Sequence, residues 1–204
     1  DEVIEEARAM RATGTGITGG DPMLDFDKTV EAVRALKDAF GPEHHIHCYT
    51  SIPIKPAQAK ELGEAGLDEL RFHLLNLSLD RYRDSVNAAS EAGICVGIEL
   101  PAEPDKHEKM HALLQELHDS PVEFLNLNEL EITVGNQHNM DVRGFNLAGG
   151  ITAAAAGSAE LAIELKQAAE DLNFHVKFCT ASYKDAGQLR SRFRRRGEAT
   201  LRPY

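Results

Sequence analysis

Ile94-Cys95-Val96-Gly97-Ile98-Glu99-Leu100 is an apolar run broken only by Glu99 and halted by Pro101 and Pro104, residues that a sheet interior does not accept. Helical spacing follows over residues 105–118, where Met110, Leu113, Leu114 and Leu117 share one face. A second apolar run then covers residues 122–127. Strand, helix and strand in so short a length is the βαβ unit, whose two strands lie parallel.

The same alternation extends in both directions. Upstream, strand patterns at residues 14–18, 45–50 and 68–74 are separated by helix patterns ending at Phe40, at 57–65 and at 80–92; a further helix pattern opens the chain at 2–12. Asp25 or Asp27 can cap the helix that ends at Phe40, and Gly41-Pro42, Gly66 and Gly93 supply helix stops. Downstream, a polar, glycine-rich segment (133–150) precedes an alanine-rich helix pattern at 151–172 and a last strand at 175–179. Most of these strands read as apolar on both faces, the pattern of parallel strands covered by helices. The order gives an α/β fold, either doubly wound or a barrel. No Gly-x-Gly-x-x-Gly follows an early strand, which favours a partial (β/α) TIM-like barrel, one domain over residues 1–204.

The 204 residues are 42% hydrophobic and carry a formal charge of −11. That charge makes nucleic acid an unlikely partner, since phosphate contacts need many cations. The run Arg190, Arg192, Arg194, Arg195 and Arg196 reads as a solvated helix face. No apolar stretch is long enough to cross a membrane, and the acidic start is not a signal peptide, so a cytoplasmic location is expected. Cys48, Cys95 and Cys179 lie far apart in apolar runs, without CxxC spacing, and read as buried thiols of a reducing compartment.

In such folds ligands meet the carboxyl ends of the strands. Those ends supply Thr18, Gly19, Gly20 and Asp21; Thr50 and Ser51; Arg71 and His73; Glu99; Asn126, Asn128 and Glu129; Thr180 and Ser182. Strand ends are polar in any case, but Arg71, Glu99 and Asn126 sit inside apolar runs, where an unpaired polar group is costly. Gly19-Gly20-Asp21-Pro22 is the sharpest local feature. Paired glycines let backbone approach a ligand closely, and the adjacent carboxylate can hold an ammonium; an ordinary turn uses the same residues.

These residues carry a resemblance. Thr15-Gly16-Ile17-Thr18-Gly19-Gly20-Asp21-Pro22 is similar to the glycine-rich motif of radical S-adenosylmethionine cores, more narrowly those related to pyruvate formate-lyase activating enzymes, with Asp21 in place of the usual glutamate. Gly93-Ile94-Cys95-Val96-Gly97-Ile98-Glu99 and Leu125-Asn126-Leu127-Asn128 resemble the family's fifth and sixth strands. The resemblance covers roughly residues 1–130. It implies S-adenosylmethionine as cofactor, contacted by Gly19, Gly20, Asp21, Ser51 and His73, with Glu99, Asn126, Asn128 and Glu129 facing cofactor or substrate. It also implies a 4Fe–4S cluster, an electron donor such as ferredoxin or flavodoxin, and a 5′-deoxyadenosyl radical that takes hydrogen from a small-molecule or protein substrate. The family's CxxxCxxC loop is not in this sequence. The expectation is that the first strand and the cluster loop precede Asp1, that the chain is also cut near Arg202-Pro203, and that the fragment alone is inactive.

Two other readings compete. His107-Glu108-Lys109-Met110-His111 matches the H-E-x-x-H pattern of zinc hydrolases, with Glu129 or Glu131 as a candidate third ligand; its helix, however, should pack outside the barrel, away from the strand ends. A non-catalytic nucleoside-binding scaffold is the second. Residues 133–150, with Asn136, His138, Asn139, Asp141 and Arg143, read as a lid or as surface disorder. Gly149-Gly150, before an expected helix start at residues 153–156, is a weak anion-site signal.

Overall fold

A computed structural model describes residues 2–201; Asp1 and Arg202-Pro203, where the sequence suggested cut ends, lie outside the described residues. The elements run α1 (Glu2–Ala9), β1 (Gly14–Ile17), α2 (Phe26–Phe40), β2 (His45–Thr50), α3 (Pro56–Ala65), β3 (Glu69–Phe72), α4 (Arg83–Glu91), β4 (Cys95–Ala102), α5 (His107–His118), β5 (Phe124–Glu129), α6 (Gln137–Val142), α7 (Ser158–Asp171), β6 (His175–Cys179) and α8 (Arg190–Thr200). The six strands form one sheet in sequential order, β1 to β6, every neighbour parallel. Sequential order with crossovers of the usual right hand sends the connecting helices to the same face, and α2, α3, α4, α5 and α7 share one core. A doubly wound sheet would instead reverse its order at a switch point. The sheet is therefore an open part-barrel, with β1 and β6 as unpaired edges.

Register divides each strand into two faces. Ile46, Cys48, Leu70, Phe72, Val96, Ile98, Leu100, Leu125 and Leu127 point outward and are all at most 1% exposed. They form one core with Val33 of α2, Leu62 of α3, Val86 of α4, Leu113 and Leu117 of α5, and Leu161 and Leu165 of α7. The alternate residues, His47, Tyr49, Arg71, Glu99, Asn126 and Asn128, point into the concave side. The expectation that most strands are apolar on both faces is thus corrected. An open part-barrel leaves its inner face to water, so that face carries polar groups that satisfy one another.

Helix starts and stops follow local chemistry. Pro56 sits in the first turn of α3, and Gly66 ends it with φ 95. The alanine-rich stretch does not open a helix, contrary to its propensity. Ala154 and Ala155 are extended and bridge to Glu131 and Leu147; Ile132 N donates to Ala153 O at 2.7 Å and Ala155 N to Leu130 O at 2.7 Å. The helix begins only at Ser158, after Gly157 with φ 84. Tertiary hydrogen bonds override a propensity worth only tenths of a kcal/mol per residue. Gly149-Gly150 consequently abuts no helix N-terminus, which removes the anion-site reading.

Residues 133–150 are ordered rather than loose. Met140 of α6 packs with Leu130 and Ala155 in a small second core. Arg143 pairs with Glu103 and Asp105 just beyond β4. The basic helix α8 buries no residue and lies along α1; Arg190, Arg192 and Arg194 are exposed, but half-buried Arg195 donates to Met10 O and half-buried Arg196 pairs with Glu6, which corrects the reading of the whole cluster as a solvated face. Among the described residues, no helix is long and apolar enough to cross a membrane.

Candidate functional site

The carboxyl ends of β1 and β2 are joined by one carboxylate. Thr50 Oγ1 (2.7 Å) and Met23 N (3.1 Å) donate to Asp21 Oδ1; Ser51 N (2.7 Å) and Ser51 Oγ (2.9 Å) donate to Oδ2. Four donors use the acceptor capacity of a carboxylate. Burial pushes the Asp21 carboxyl up, but these hydrogen bonds outweigh it and hold the group below its ordinary value. Asp21 is thereby a brace that fixes the β1 tip against β2, and Tyr82 locks the other side by donating to Ser51 O at 2.8 Å. Gly19 and Gly20, immediately before it, have φ 97 and 71, and a Cβ at either would meet no atom within 4 Å. The left-handed backbone requires glycine here, and the space in front of it is open.

Glu99 organises the second half of the site. Arg71 Nη1 donates to its Oε2 at 2.8 Å, Asn126 Nδ2 to the same oxygen at 3.3 Å, and Asn128 Nδ2 to Oε1 at 3.0 Å. Arg71 also pairs with Glu69, donates to Tyr49 Oη at 2.9 Å, and lies over the Tyr49 and Phe124 rings. Burial, then the Glu99 carboxylate, raises the Tyr49 phenol above its usual value, so it remains a neutral O–H. His73 Nδ1 lies 3.2 Å from Glu99 O.

A cavity of about 560 Å³ opens between the strand tips, bordered by Thr18, Tyr49, Arg71, His73, Glu99 and Asn128 among others; this is the size of a small-molecule site. His73, Glu99 and Asn128 line this cavity, whereas Gly19, Gly20, Asp21 and Ser51 do not; Gly19, Gly20 and Asp21 follow Thr18 at its border, where Asp21 and Ser51 bond to each other. Asn126, 7% exposed, serves as a partner of Glu99. None of residues 133–150 lines the cavity.

No family model matches the chain. Over its whole length it is 34% identical, across 214 aligned residues, to a Methanocaldococcus jannaschii protein assigned as a glycyl-radical enzyme activating enzyme, covering 56% of that protein. Over 97 residues, 48% of the chain, it is 34% identical to the GTP 3',8-cyclase of Lactiplantibacillus plantarum, covering 29% of it. The chain spans about half, or less, of these curated relatives. Among solved structures it resembles Streptococcus suis SuiB bound to S-adenosylmethionine (TM-score 0.56, 15% identity, 87% of this chain and 43% of SuiB). It also resembles the 3-hexulose-6-phosphate synthase of Salmonella typhimurium (TM-score 0.52, 17% identity, 97% and 92%). These two likenesses establish the fold.

These sequence relatives are members of the radical S-adenosylmethionine family, and the chain matches one of them over its full length.

The thiols of this chain do not fit an iron–sulfur cluster. Cys48 points to the helical side of the sheet and is buried, whereas Cys95 and Cys179 are half-buried, which corrects the reading of all three as buried. Burial pushes the Cys48 thiol up to about 12; burial, then Glu123, does the same for Cys95. Among the described residues no metal-compatible cluster contains a cysteine. The zinc reading fares differently. His107 and His111 do meet a carboxylate, but it is Glu164 of α7. Glu129 instead accepts from Ala181 N at 2.7 Å and Glu131 pairs with Lys184, so neither proposed third ligand reaches the motif.

Sequence reasoning missed Tyr49, Lys184 and His47. Tyr49 was detectable, because it keeps inward parity with His45 and His47 along β2. Lys184 lines the cavity from a π-helical turn at Tyr183–Leu189, where no sequence pattern pointed inward. His47 keeps a buried Nδ1 without a hydrogen-bond partner.

Proposed function

We propose that this core binds S-adenosylmethionine in the strand-tip cavity and presents it to a protein substrate. One observation carries the reading: two left-handed glycines facing open space next to Thr18, at the border of a cavity of cofactor size into which Arg71, His73, Glu99 and Asn128 bring polar groups. The exposed backbone of Gly19 and Gly20 meets the aminoacyl end of the cofactor, with Asp21 and Ser51 bracing that turn. His73, Glu99 and Asn128 offer hydrogen bonds to the ribose and base. Tyr49 and the paired Arg71 close the cavity floor and exclude water. The strand-tip residues would hold S-adenosylmethionine, which with a 4Fe–4S cluster would supply radical hydrogen-abstraction chemistry at that site. Cluster thiolates would come from chain outside these residues, since Cys48, Cys95 and Cys179 do not converge, and an electron would come from a cytoplasmic ferredoxin or flavodoxin. The glycyl-radical activating assignment of the full-length match supports a protein substrate.

The test is calorimetric titration of Gly20→Val with S-adenosylmethionine. A β-branched residue at φ 71 is strained by about 1–2 kcal/mol and fills the approach. Affinity should fall at least about tenfold while circular dichroism stays unchanged; wild-type affinity in the variant would remove the glycine turn from the site.

A further inference from the structure

The H-E-x-x-H pair has a use that the cofactor pocket does not absorb. His107 and His111 lie one turn apart on α5, the i, i+4 spacing that stacks two side chains on one face. Their ring centroids are 4.6 Å apart. Glu164 reaches across from α7, placing a single oxygen, Oε1, 2.8 Å from His107 Nε2 and 3.0 Å from His111 Nε2. All three ligand atoms lie within 4.8 Å of one another. In a tetrahedral zinc site with bonds of about 2.0–2.1 Å, neighbouring ligand atoms stand about 3.3 Å apart. The three ligand atoms thus already stand close to the spacing that the ion requires.

The scaffold beneath is rigid. Met110, Leu113, Leu114 and Leu117 anchor α5 in the core, and Leu161, Ala162 and Leu165 anchor α7. Ser158 Oγ further pins the start of α7, accepting from Leu130 N and donating to Ala102 O, each at 2.8 Å. The ligands are half-exposed, so zinc can enter from solvent and water can fill the fourth position. The other candidate cluster, His45, His47 and Glu69, is unsuited to a cation because the Arg71 guanidinium already occupies Glu69.

We propose that His107, His111 and Glu164 form a zinc-binding site on the outer helical layer that clips α5 to α7, on the opposite side of the sheet from the cofactor cavity. The ligand set, two imidazoles and a glutamate, is one that zinc accepts. Its place in the fold makes it independent of the radical chemistry.

The experiment is calorimetric titration of the chelator-treated chain with zinc chloride alone, paired with thermal melts and with cobalt chloride as a visible-absorption probe. Expected are one zinc ion per chain, a raised Tm, and cobalt d–d bands of tetrahedral intensity. His111→Ala and Glu164→Gln should each weaken zinc binding at least about tenfold and abolish the Tm rise, whereas His118→Ala, on the same helix, should bind as wild type. These are surface side chains, so each variant should keep its circular dichroism. Absence of zinc binding in the wild type, or unchanged binding in His111→Ala and Glu164→Gln, overturns the proposal.

Discussion

Convex and concave sides of this sheet are made by alternate residues of the same strands. Phe72, Ile98 and Leu125 pack outward, essentially without exposure, while their neighbours Arg71, Glu99 and Asn126 turn inward and bond to one another. The convex face is held by area and volume, so its residues are exchangeable in chemistry but not in size. The concave face is held by pairing, where removing one partner strands the others. Stability lives on one face and the proposed binding function on the other.

The largest expected effect tests the convex side. Phe72→Ala empties a fully buried ring site and should cost about 3–5 kcal/mol, read as a lower urea midpoint with an unchanged slope. Next, Glu99→Ala leaves Arg71, Asn126 and Asn128 without their common acceptor. Its cost should be about 1–3 kcal/mol, with a loss of S-adenosylmethionine affinity that Phe72→Ala should not cause under folding conditions. A Glu99→Ala variant that lowers stability without touching affinity would break the division of labour between the faces.

Asp21 sharpens the comparison through pH. Its folded pKa is depressed, so its contribution to stability is present above the unfolded value of about 3.9 and is lost as pH falls through the lower folded value. Asp21→Asn should cost about 1 kcal/mol at pH 7, and the gap from wild type should close in melts at progressively lower pH, below about 4. A gap independent of pH would show that the carboxylate charge does not brace the turn. The smallest effect belongs to the double variant His107→Ala with His111→Ala. Without added zinc it should shift stability by less than about 0.5 kcal/mol and leave S-adenosylmethionine affinity unchanged in calorimetry.

The site was legible in part. Gly19, Gly20, Asp21, Ser51, His73, Glu99, Asn126 and Asn128 were all recognisable as strand-end residues, and the structure gathers them along neighbouring tips. What the pattern could not show is that Asp21 is saturated by Thr50, Met23 and Ser51, because those bonds span up to thirty residues of sequence. Glu164 joins His107 across fifty-seven positions, and local periodicity carries no such information.

By itself the sequence determined the alternation of strands and helices, the sequential parallel order it favours, and the glycine turn, since each depends on contacts between near neighbours or on backbone freedom at one residue. Only the tertiary structure decided that the inner face is a polar network, that Ala154 and Ala155 are extended, and that Glu164 rather than Glu129 or Glu131 faces the histidine pair. Those outcomes depend on which distant groups arrive beside one another when the sheet curls, and the free energy of such pairings exceeds any local preference of the chain.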